Sequence, residues 1–215
     1  MNKLEHIKIC GISTSETADA VISSGATHLG MIFFEKSPRN VSLEQAQILS
    51  SHVGNRVTKV AVTVNADTDF LDQIVEHVAP DVLQLHGSET PEHVQHVKDR
   101  FGLPVIKALA IGAQEDLEKV KPYMNIADLF LFDAKPPKGS DLPGGNGVAF
   151  DWEIMDDIPE NVPYMLSGGL NSENIVEAIE RTGTKGIDIS SGVETAPGVK
   201  DVKLIEDFLD RLNKM

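Results

Sequence analysis

The feature that most constrains this chain is an alternation sustained almost from end to end: short apolar, β-rich runs, then Gly/Ser/Asn loops, then amphipathic helical stretches. Strand-like runs fall at 7–10, 28–34, 57–64, 82–86, 105–108, 129–134, 163–167 and 186–190. Their starts lie roughly 25 residues apart, the span of one strand plus one crossover helix. Start signals for the intervening helices include Ser42 with Glu44 and Gln45, Asp67, and Ser88 with Pro91 and Glu92. Apolar faces follow at helical spacing, as in Leu71, Ile74, Val75 and Val78, or Leu204, Ile205, Phe208, Leu209 and Leu212.

Strands that alternate with helices this regularly predict parallel pairing through right-handed crossovers. Eight such units in 215 residues predict an α/β fold of the (β/α)8 TIM-barrel type, with residues 1–215 forming a single domain. An open doubly wound sheet would also alternate, but it ordinarily carries a Gly-rich fingerprint after its first strand, where Gly11 stands alone. One segment breaks the rhythm. Residues 135–147, rich in Pro and Gly, can form neither a helix nor a central strand and read as a lid or binding loop ahead of a helix near Phe150, Asp151 and Trp152.

Composition narrows the partners. The formal charge of −14, with only 19 Lys and Arg, excludes nucleic acid and anionic membrane surfaces, both of which need a basic face. No apolar run reaches the 18 or more residues of a membrane span, and no signal-like segment opens the chain. A lone cysteine, Cys10, rules out an intrachain disulfide and suits a reducing, cytoplasmic setting. No obligate protein partner is indicated, and the start and end suggest a free-standing enzyme. An acidic protein can still hold an anionic small molecule where backbone N–H groups and a few local cations converge.

In a parallel barrel the strand C-termini and following loops form the reactive face, so candidates are read off the strand ends. They are Cys10, Arg39, Asn65, Gln84 and His86, Asp133, Ser167-Gly168-Gly169, and Asp188 through Ser190, Ser191 and Gly192. Asp133 ends an apolar run, and desolvation at such a mouth favours the neutral, proton-donating form of a carboxyl; an ordinary loop cap is the alternative. Cys10 reads either as a small buried hydrophobe or as a base, if its thiolate is stabilised. Two adjacent Gly/Ser loops, at Gly168-Gly169 and Ser190-Ser191-Gly192, lie where barrels hold phosphates. Arg39 offers a bidentate fork for a carboxylate or is a solvated loop charge. His86 and Gln84 also fit structural roles. The absence of HExxH, paired CxxC and P-loop patterns predicts no metal and no nucleotide cofactor. An aldolase-type reaction would instead need a Schiff-base lysine, for which Lys8 and Lys107 are available, and a binder without chemistry would need neither Cys10 nor Asp133.

The combination Lys8-Ile9-Cys10-Gly11, Ser37-Pro38-Arg39, Leu83-Gln84-Leu85-His86-Gly87, Asp133-Ala134-Lys135, Gly144-Gly145, Ser167-Gly168-Gly169-Leu170 and Asp188 through Glu194 resembles the phosphoribosylanthranilate isomerase family across nearly the whole chain. Ile12-Ser13 and Asn146 are mild departures from its usual pattern. The resemblance implies an isomerase of tryptophan biosynthesis acting on a phosphoribosyl substrate by a cofactor-free Amadori rearrangement. It implies Cys10 as general base, Asp133 as general acid and Arg39 as the group holding the anthranilate moiety. Further substrate contacts fall at Gln84, His86, Gly144, Gly145 and Asp188, with phosphate held by Gly168, Gly169, Ser190, Ser191 and Gly192.

Overall fold

The computed structural model describes residues 4–135, 144, 151–159 and 161–215. Eight parallel strands close into a barrel in chain order: β1 (His6–Cys10), β2 (His28–Phe33), β3 (Thr58–Thr63), β4 (Val82–Leu85), β5 (Val105–Ile111), β6 (Leu129–Ala134), β7 (Tyr164–Leu166) and β8 (Gly186–Ile189). Closure comes from β1, which pairs with β2 on one side and β8 on the other. This is the barrel that the strand–helix alternation predicts.

Helices α1 (Ser15–Ser23), α2 (Leu43–Val53), α3 (Thr68–Val78), α4 (Pro91–Phe101), α5 (Ile175–Thr182) and α6 (Val202–Asn213) ring the barrel. Side chains that cap orphan N–H groups start five of them, at Thr14, Ser42, Asp67, Thr90 and Asp201. For α4 the cap is Thr90, not Ser88, because Pro91 takes the first helical position and its missing N–H leaves the residue just before it to cap. Two crossovers differ from the expected α-helix. Gln114–Tyr123 and Trp152–Asp157 are 3₁₀ stretches, the first carrying Pro122, whose ring blocks an α ladder, and the second only six residues long.

The pleat divides buried side chains into two layers. Every second strand residue points into the barrel, so Cys10, Val60, Val62, Val82, Ile106, Ala108, Leu129, Leu131 and Met165 fill its interior. The alternate residues, such as Ile9, Ala61, Leu83, Phe130, Phe132, Ile187 and Ile189, pack outward with Val21, Leu49, Ile74, Val94, Ile205 and Phe208 of the helices. After β8 the chain adds a 3₁₀ turn at Ser191–Val193 and a small antiparallel hairpin, β9 (Glu194–Ala196) and β10 (Val199–Lys200).

Candidate active site

The strand C-termini open into a pocket lined by Cys10, Ile32, Phe34, Ser37, Arg39, Val62, Val64, His86, Asp133, Gly144, Ser167, Asp188 and Ser190. Strand parity explains the membership. Cys10, His86, Asp133, Ser167, Asp188 and Ser190 continue the inward-facing sets of β1, β4, β6, β7 and β8 beyond the apolar interior.

Cys10 is the chain's only thiol, 6% exposed. Its neighbour across the sheet is Gly30, where a Cβ would lie 2.9 Å from the Cys10 Sγ and 3.2 Å from the Lys8 Cε, so the missing side chain makes room for both groups. Lys8, two residues earlier on the same face, is fully buried and donates to Asp188 Oδ1 at 2.9 Å. Burial works to push the Lys8 ammonium down, but Asp188 and Cys10 outweigh it and hold the pKa above its ordinary value. Burial pushes the Cys10 thiol up, with Asp188 adding to the push and Lys8 and Lys200 opposing it.

Asp133 enters the same pocket from β6. It is 4% exposed, its Oδ1 accepts the Ala134 N–H at 2.9 Å, and its Oδ2 lies 3.3 Å from His86 Nε2. Gln84, wholly buried, sits on the other ring nitrogen, with Nε2 2.9 Å from His86 Nδ1. Gln84 thereby governs which ring nitrogen carries the proton, and so whether His86 offers Asp133 a donor or an acceptor. Gly144 closes over this pair: a Cβ there would come within 2.1 Å of Asp133 Oδ2 and 2.7 Å of His86 Nε2.

Arg39, 5% exposed, reaches the pocket from the loop after β2 and shares its fork with Glu194, Nε to Oε1 at 2.7 Å and a terminal nitrogen to Oε2 at 2.8 Å. Of the phosphate candidates, Ser190 lines the pocket wall, as does Ser167 beside them, while Gly168, Gly169, Ser191 and Gly192 continue the same two loops. Those loops touch, since a Cβ on Gly192 would lie 2.1 Å from the Leu170 carbonyl oxygen. Reciprocal bonds between Asn171 and Asn174, and from Asn174 Nδ2 to the Gly169 carbonyl at 3.0 Å, fix the loop that leads to α5.

The structure does not bring every candidate to the pocket. Asn65 instead accepts from the Ser88 N–H at 2.8 Å and stitches the β3 and β4 loops together. Lys107 has the opposite parity to Ile106 and Ala108 and points away from the barrel interior. It donates to Glu89 Oε2 at 2.9 Å and to the carbonyls of Leu85, Gly87 and Ala108, which removes it as a Schiff-base candidate. Lys8 is likewise bound in its ion pair with Asp188. Gly145 lies outside the described residues, as does the loop 135–147 apart from Lys135 and Gly144. Lys200, absent from the sequence candidates, emerges beside the site: its Nζ contacts Glu194 and donates to the Ser190 carbonyl and hydroxyl oxygens at 3.1 Å each. The turn signal Pro197-Gly198 between Glu194 and Lys200 is the hint that could have found it.

With this geometry in hand, three comparisons agree. The family model described as N-(5'phosphoribosyl)anthranilate (PRA) isomerase matches residues 7–211. N-(5'-phosphoribosyl)anthranilate isomerases of Brucella canis and Brucella suis are each 57% identical over 202 residues, covering 94% of this chain and 91% of theirs. Among solved structures, phosphoribosyl anthranilate isomerase from Thermotoga maritima superposes with a TM-score of 0.87 at 33% identity, over 98% of this chain and 99% of that one. A second, solved in complex with reduced 1-(o-carboxyphenylamino)-1-deoxyribulose 5-phosphate, gives 0.85 at 31%, again over 98% and 99%.

Proposed function

Because the chain belongs to the N-(5'-phosphoribosyl)anthranilate isomerase family and is an isomerase of tryptophan biosynthesis, we propose that its chemistry is divided between Cys10 and Asp133. The reaction converts N-(5'-phosphoribosyl)anthranilate to 1-(2-carboxyphenylamino)-1-deoxyribulose 5-phosphate. Asp133 donates a proton to the furanose ring oxygen, the C1–O bond opens, and the nitrogen lone pair forms a Schiff base. Cys10, as thiolate, then removes the C2 proton, and the resulting enolamine tautomerises to the ketose. The carrying observation is that the two groups come from non-adjacent strands, β1 and β6, into one pocket. One group cannot serve both the ring oxygen and C2 at once, and each transfer contributes about 10² to 10⁴ in rate.

The surroundings support each role. Lys8, the nearest cation along β1, favours the thiolate of Cys10, and His86 orients Asp133. Arg39 reads the anthranilate carboxylate, Asp188 and Gln84 act through Lys8 and His86, and Gly144 brings backbone against the ribose. The phosphate sits on Gly168, Gly169, Ser190, Ser191 and Gly192, anchoring the sugar between acid and base. A single reduced thiol at the centre of the reaction suits the cytoplasm. Among the described residues no helix is long and apolar enough to cross a membrane.

Cys10→Ala and Asp133→Asn test the assignment, since neither enlarges a side chain. Each is expected to fold and to lose about 10² to 10⁴ in kcat in a substrate-fluorescence assay. Full activity in either variant removes that residue from its role.

A further inference from the structure

The hairpin after β8 contributes two buried charged side chains, Glu194 and Lys200, that the reaction scheme leaves unused. Glu194 on β9, with its side chain 3% exposed, lies between two buried cations, Arg39 and Lys200. Arg39 grips it with two hydrogen bonds, at 2.7 and 2.8 Å, Lys200 contacts Oε1, and the Gly198 N–H donates to Oε2 at 3.3 Å. Lys200 in turn donates to Ser190, whose hydroxyl donates to the Cys10 carbonyl at 3.0 Å. An unbroken run of hydrogen bonds therefore joins the loop after β2 to the peptide of Cys10.

The hairpin also fits that loop sterically. Gly198 takes φ 82°, and a Cβ on it would lie 2.3 Å from the Pro38 carbonyl oxygen, so the turn rests directly on the residue before Arg39. Arg39 and Lys200 bring two cations to this side of the site in a chain of formal charge −14. Cations placed there suit an anionic substrate group.

We propose that Glu194 is a positioning residue for substrate recognition: it aims the Arg39 guanidinium into the pocket and, through Lys200 and Ser190, ties that aim to the strand carrying Cys10. Glu194 acts through Arg39, so the inference rests on the reading of Arg39 as the carboxylate-binding cation. Its fork matters more than its charge, because a lysine in place of the arginine has no planar edge for a carboxylate to orient.

The experiment is a kinetic cycle with N-(5'-phosphoribosyl)anthranilate on Glu194→Gln, Arg39→Lys, Arg39→Met and the double variant Glu194→Gln/Arg39→Lys, with thermal melts alongside. Glu194→Gln is expected to raise KM about ten- to a hundredfold with kcat within about threefold, the signature of lost ground-state binding. In the Arg39→Lys background the same substitution is expected to add less than about twofold. Equal KM effects in both backgrounds, or a fall in KM because Glu194 merely competes with substrate for Arg39, would overturn the positioning role while leaving Arg39 its own. An unchanged KM in Arg39→Met would instead remove the carboxylate reading, and the proposal with it. Should Glu194→Gln not fold, Glu194→Asp keeps the charge but withdraws the carboxylate by one methylene, and the same split between KM and kcat is expected from it; a melting shift with unaltered KM overturns the proposal.

Discussion

Replacing Lys8 by Met probes the most deeply buried charged side chain among the described residues. The side chain is 0% exposed and its ammonium lies 2.9 Å from Asp188 Oδ1, itself in a residue 5% exposed. Methionine matches the lysine stem, so packing beside Gly30 is retained, but the Asp188 carboxylate loses its partner inside the barrel. Breaking a buried pair from one side costs about 3–5 kcal/mol. With an m-value of about 2–3 kcal/mol/M, the urea midpoint should fall by about 1–2.5 M. Adding Asp188→Asn removes the orphaned charge and should recover at least half of the loss. The same variant reports on the proposed base, because Lys8 is the strongest pull keeping the Cys10 thiol from rising further. In Lys8→Met the thiol should ionise at higher pH than in the parent, and with only one cysteine the ultraviolet thiolate signal is unambiguous. A midpoint within about 0.3 M of the parent, a value far below what the broken pair implies, would refute the account of Lys8.

Two further outcomes follow from neighbouring groups. Burial, then His6 and Lys8, hold His28 at a pKa of about 4 against an ordinary 6.5, so between these values the unfolded chain binds a proton that the folded chain refuses. Stability is therefore full above 6.5 and declines as pH falls toward 4, by about 2–3 kcal/mol, and His28→Gln should flatten that slope in urea melts run across the window. Gly144→Ala would place a methyl 2.1 Å from Asp133 Oδ2, so either the loop or the acid must move; kcat should drop about 10²-fold with little change in melting temperature, and near-parental kcat would show that the loop yields freely.

The barrel was legible because its strands read as short apolar runs and all but β5 carry a polar candidate at the C-terminal end or in the loop just beyond it. Register was legible too: Lys8 and Cys10, or Gln84 and His86, share a face because they stand two apart. The same count excludes Lys107 from the interior, given that Ile106 and Ala108 occupy it. What remained hidden was pairing across distance. Nothing in the chain announces that Lys8 meets Asp188, 180 residues on, or that Glu194 meets Arg39 across 155. Those partnerships follow from barrel closure and from a hairpin too short to register as strands. The 3₁₀ crossovers were missed because their composition resembles that of the α-helices, and only Pro122 argued otherwise.

The two-layer pleat has a consequence for how this enzyme can change over generations. On β1, Ile9 anchors the strand to the helices while Lys8 and Cys10, its immediate neighbours, face the barrel interior, Cys10 at the pocket. A one-residue insertion or deletion within that strand would exchange the two duties, burying the thiol among aliphatic helix faces and turning an isoleucine toward the substrate. Length variation is thus confined to the loops, where it reshapes what is recognised. Within strands only substitution is open, and the inward and outward positions can be altered almost independently of one another.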